Sequence, residues 1–152
     1  MKYNIATLDA WKAFALLCSV FLLMVLLIPF YGLGFVVAGL AVFAWLHSIA
    51  FELSKVNSVQ SSKFTVFSLV GAAASVLLVI VPTGYLGAGI VLRCILGCAL
   101  LGSMLFLMYA VGSLLARAEK DSPPKINAAW LVYAWPIGVW YLQPRLKSVL
   151  SR

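Results

Sequence analysis

The sequence predicts an all-α membrane protein: a bundle of four transmembrane helices followed by a C-terminal aromatic segment that is interfacial or re-entrant. Three observations predict it. Hydrophobic residues make up 64% of the 152-residue chain and charged residues 10%. Soluble domains hold about 45–50% and about 25%, so lipid has to be part of the solvent. The long runs are apolar all round, where barrel strands would alternate, and in hydrocarbon each backbone donor and acceptor must be satisfied within its own segment. Finally, the cations fall almost wholly on one side of the runs.

A span needs about 20 residues to cross about 30 Å of hydrocarbon. The first is expected at residues 13–30, closed by Pro29 and the turn Tyr31-Gly32-Leu33-Gly34. Lys2 and Lys12 give it a flank like that of a signal peptide. The run is long for one, and another follows at once, so a retained helix is expected. The second span is expected at residues 33–51, followed by a polar stretch at 54–63. The third covers 64–81, where Pro82-Thr83-Gly84 stops it. The fourth covers 88–115, with a start anywhere between Ala88 and Leu96; an early start makes it long and tilted. Residues 1–116 then form one bundle.

A charged, proline-broken cytoplasmic linker is expected at 117–127 (RAEKDSPPK at its start), and an aromatic segment with a basic tail at 128–152. The segment 128–142 is only 15 residues long and is interrupted by Pro136 and Gly138. Trp130, Tyr133, Trp135, Trp140 and Tyr141 have the amphipathic rings that settle at headgroup level. A fifth crossing would carry Arg145 and Lys147 to the other side, so a broken helix in or dipping from the interface is expected. Pro136 to Arg145 (PIGVWYLQPR) resembles a terminal element of small uncharacterised bacterial membrane proteins, a likeness that implies no activity.

Ten of the eleven cations (all but Arg93) flank the same side of the four runs. The positive-inside rule then places both termini in the cytoplasm of a bacterial inner membrane, with short outer turns near residues 30 and 85. A net charge of +7 distributed in this way orients a chain in a membrane and does not indicate nucleic acid. Cys18, Cys94 and Cys98 form no C-x-x-C pair and do not describe a disulfide framework.

Few residues could carry chemistry. Cys94, Cys98 and Gly102 recur every four residues on one face of the fourth span. Such a face serves either internal packing against span three, which has its own thin band at Gly71 to Ser75, or docking of another protein's helix. Arg93 near the outer surface either snorkels to headgroups or faces an anion or partner. His47 and Glu52, toward the inner end of span two, are candidate ion or proton groups. They point about 140° apart on a helix, and Glu52 can reach Lys55. No metal-ligand spacing, catalytic set or cofactor motif accompanies them, and Gly84, Gly87 and Gly89 are turn glycines, not a dinucleotide loop.

The expected role is therefore non-enzymatic, without a cofactor. The chain would be an accessory subunit, assembly factor or immunity-type protein that touches another membrane protein, or itself, through helix contacts. Trp130, Trp135 and Trp140 join Cys94, Cys98 and Gly102 as expected contact residues. An oligomeric small transporter or channel is the alternative, and a membrane redox enzyme the least favoured reading.

Overall fold

The computed structural model describes residues 9–27, 32–81, 88–119 and 137–150, and every element in them is an α-helix. In chain order these are α1 (Ala10–Leu26), α2 (Leu33–Val56), α3 (Ser62–Ile80), α4 (Ala88–Ala118) and α5 (Ile137–Leu150). Three of them, α2, α3 and α4, are long and apolar enough to cross a membrane. At 17 residues, α1 is a shorter apolar helix, about 25 Å long at 1.5 Å per residue. The linker from residue 120 onward, with Trp130, Trp135 and Pro136, lies outside the described residues.

Helix ends differ from the expected ones in a consistent direction. α4 takes the early start at Ala88 and runs on to Ala118, into the expected linker. α2 continues past residue 51 to Val56, because polar groups complete its last turn. Ser54 Oγ donates to the Phe51 carbonyl, and Asn57 Nδ2 donates to the carbonyls of both Leu53 and Leu114. The Leu114 bond ties the end of α2 to α4. At the other end of α2, Gly32 has φ +82°, a left-handed turn that favours glycine.

α2 is the hub. It touches α1, α3, α4 and α5. Small residues let its neighbours approach, as expected where lipid supplies no hydrophobic drive between helices. A Cβ on Gly71 would stand 2.2 Å from the Phe43 ring, one on Gly39 2.6 Å from Ser75 Oγ, and one on Gly34 2.2 Å from the Met24 carbonyl oxygen. The α2–α3 pairs rise on one helix as they fall on the other, so the helices are antiparallel. α3 meets α4 through Phe67 stacked on Phe106, ring centroids 3.9 Å apart.

The core is not central. Its residues are Ala13 and Leu17 of α1, the Phe43 to Leu53 part of α2, Phe64 of α3, the Leu107 to Leu115 part of α4, and α5. All lie toward the end that carries Lys12, Lys55, Lys63, Arg117 and Lys147, hereafter the charged end. Toward the opposite end, Phe21, Leu22 and Leu26 of α1 and Ile90, Val91 and Ile95 of α4 are exposed.

Gly71→Ala should lower thermal stability in detergent by about 1–3 kcal/mol, since the new methyl has to displace a buried ring. Phe43→Leu in the same chain should recover part of that loss, a non-additivity that unfolding curves of the single and double variants would read directly.

Candidate functional site

α5 is where the structure departs furthest from the expected pattern. Its buried face is Val139, Leu142, Leu146 and Val149, an i, i+3, i+7, i+10 series that makes one apolar stripe. Gln143 is buried beside it. The helix runs through Arg145 and Lys147 to Leu150, although Pro144, which is exposed, has no N–H to continue the ladder. The basic stretch expected as a tail is thus part of a docked helix.

Two carboxylates flank α5. Glu119, just past α4, accepts two hydrogen bonds from the Arg145 guanidinium, one from Nε at 2.6 Å and one from Nη2. This fork-to-fork arrangement is the strong form of an ion pair, and it raises the Arg145 guanidinium further above its ordinary value, chiefly through those bonds. Asp9, just before α1, accepts a hydrogen bond from Lys147 Nζ at 2.7 Å and has Lys12 Nζ 3.4 Å away. The Lys147 hydrogen bond is the main cause holding the Asp9 carboxyl below the usual carboxylate range. Deeper along the same pair of helices, the Trp140 ring tilts against Phe14, centroids 5.5 Å apart. The 9–147 and 14–140 contacts make α5 run antiparallel to α1.

α5 sits between α1 and α4 at the charged end, against α2. Further along α1, toward the opposite end, a partly open cleft of about 320 Å³ lies between α1, α2 and α4. Leu17, Val20, Phe21 and Met24 form one wall; Trp45 of α2 and Met104 of α4 contribute to the others. The lining is almost entirely apolar, and the Trp45 indole N–H is turned into the protein, where it has no hydrogen-bond partner among the described residues.

The residues singled out from the sequence are dispersed. Cys94 and Cys98 are exposed free thiols, and a Cβ on Gly102 would meet nothing within 4 Å. Their face of α4 therefore points outward; the packing face of α3 uses Gly71, Ala74 and Ser75 instead. Arg93 neither snorkels freely nor stands open: its Nη2 donates to the carbonyl of Val81, the C-cap of α3, where the negative end of the helix dipole favours a cation. His47 is half-buried with its ring 5.9 Å from that of Phe51, and its Nδ1 has no partner among the described residues. Glu52 pairs with Lys55 at 3.0 Å. Trp140 is placed as described; Trp130 and Trp135 lie outside the described residues. The residues that sequence reasoning missed are Asp9, Glu119, Leu142, Gln143 and Leu146. A usable signal was the scarcity of acids: the chain has four, so each one near a helix end is worth a search for its cation.

No family model matches the chain, and no curated protein or solved structure matches it.

Reversing Glu119 to Arg should destabilise the docked α5 by about 1–3 kcal/mol, between the surface and buried limits for an ion pair. Adding Arg145→Glu should restore much of it, as read by melting in detergent. The Asp9 tie has a depressed carboxyl value, so its contribution is complete above about pH 4 and is lost only as pH falls through the lowered value. Protease resistance of α5 should accordingly be flat from pH 8 to pH 5 and fall only on stronger acidification.

Proposed function

We propose that the chain is a four-span inner-membrane protein of bacteria that acts without catalysis, through helix contacts with another membrane protein or with itself. In this reading α1 is the first span, the charged end is cytoplasmic, and α5 is the returning limb of a re-entrant segment. The antiparallel run of α5 along α1 supports a limb that enters the layer over one that lies flat on it. The positive-inside distribution of cations supports the orientation.

The observation that carries the interaction reading is the outward face of α4. In the most apolar stretch of each long helix, 33% of residues are buried in α2, 28% in α3 and 11% in α4. The small-residue line Cys94, Cys98 and Gly102 lies on the outward face of that stretch, where a facing backbone could come close, and the side chains around it (Ile95, Leu101 and Leu105) are exposed. The apolar lining of the side cleft adds no polar route that would favour solute passage.

Gly102→Leu tests this reading. The position is open within the chain, so the variant should insert normally and melt like the parent. Its association, read by crosslinking in membranes and by co-purification in mild detergent, should fall about five- to thirtyfold if a close helix contact of about 1–2 kcal/mol is lost. Unchanged association would mean that this face meets only lipid. Tags at Asn57 and Ser122 should report the cytoplasm and a tag at Gly84 the opposite side.

A further inference from the structure

Two ammonium groups converge on one carboxylate at the start of α1. Lys12 Nζ is 3.4 Å from Asp9 Oδ2, and Lys147 Nζ is 2.7 Å from Oδ1. Both lysine side chains stay about half exposed, at 49% and 60%. Among the described residues the cluster therefore keeps one more positive than negative charge, open to the surroundings. It lies at the N-terminus of α1, where the helix dipole adds to that potential.

The side cleft begins along the same helix. Leu17 is five residues beyond Lys12 and Met24 twelve, which is about 7 to 18 Å along α1 at 1.5 Å per residue. Half of the hydrocarbon layer is about 15 Å thick, so one chain of a lipid held at Lys12 would extend along this wall. Phe14, with the Trp140 ring against it, lies between Lys12 and Leu17 along α1. The cleft is partly open, and water has almost no polar group to hold it there.

We infer that α1 carries a binding site for one anionic phospholipid, its phosphate at Lys12 and Lys147 and one acyl chain in the cleft that α1 forms with α2 and α4, lined by Leu17, Val20, Met24 and Met104. Charge complementarity selects the headgroup, and the apolar wall takes the chain. The site requires only that the charged end lie at a membrane surface, on either side, so it stands or falls separately from the helix-contact reading of α4.

The test uses the full chain in mild detergent, offered phosphatidylglycerol or phosphatidylcholine with the same acyl chains, with retained lipid counted by native mass spectrometry. The parent should retain phosphatidylglycerol with about tenfold preference, as expected for two lysines near one anionic headgroup. Lys12→Gln with Lys147→Gln should reduce this to the phosphatidylcholine level. Asp9→Asn should raise it, because the competing carboxylate charge is gone. Asp9→Asn and Lys147→Gln both break the tie to α5, so opposite effects on lipid separate binding from a loosened helix. Val20→Trp, or Met104→Trp from the facing wall should the first fail to fold, fills the cleft and should lower phosphatidylglycerol retention with the cations intact. Equal retention of the two lipids by the parent, effects of Asp9→Asn and the double glutamine variant in the same direction, or retention indifferent to the tryptophans would each overturn the assignment.

Discussion

Glu119 and Asp9 stand at the two ends of the bundle's outer helices, one just after α4 and one just before α1, and each holds a cation of α5. The rest of the charged end depends on this arrangement. α1 packs chiefly on α2 and on α5. With α5 undocked, α1 would keep α2 as its main neighbour among the described residues, and Val139, Leu142, Leu146 and Val149 would lose the surface that buries them. Two of the four acids in a chain of net charge +7 are thus committed to one 14-residue helix.

The same placement explains why packing is uneven along the bundle. Where α5 fills the space between α1 and α4, side chains are enclosed and polar groups close the ends, as with Asn57 bridging Leu53 and Leu114. Beyond α5 the helices approach where small residues permit, Gly34 with Met24 and Gly39 with Ser75, and Arg93 ties α4 to the end of α3. In water such a half-open bundle would expose far too much apolar surface. In hydrocarbon the exposed side chains lose nothing by it, because lipid tails are as apolar as leucine. The open half is consequently where another helix or a lipid chain can be admitted without displacing anything.

Much of the helical architecture was legible because lipid leaves the backbone so few options. All-round apolar runs fixed α2, α3 and α4 to within a few residues, with α4 taking the earlier of its two possible starts. What could not be read were contacts between distant residues. Asp9 and Lys147 lie 138 positions apart, and nothing local to either one points to the other. α5 was misjudged for a related reason. The apolar stretch was ended at 142, since Pro144, Arg145 and Lys147 look like a stop signal; once both cations have carboxylate partners, the helix continues to Leu150. The thin faces of α3 and α4 are equivalent as patterns of small residues. Only the partner across the gap, Phe43 opposite Gly71 and nothing opposite Gly102, tells inward from outward.

The docking of α5 along α1 is the central structural claim, and a proximity measurement in membranes tests it most directly. In a chain whose three native cysteines are replaced by alanine, cysteines are placed at Phe14 and Trp140, and separately at Phe21 and Trp140. A short bifunctional thiol reagent should join the first pair within one chain, in line with ring centroids 5.5 Å apart, and should leave the second pair largely unjoined. Equal yields for the two pairs, or no linkage at 14–140 in a correctly inserted chain, would contradict the placement of α5 on which the charged end is built.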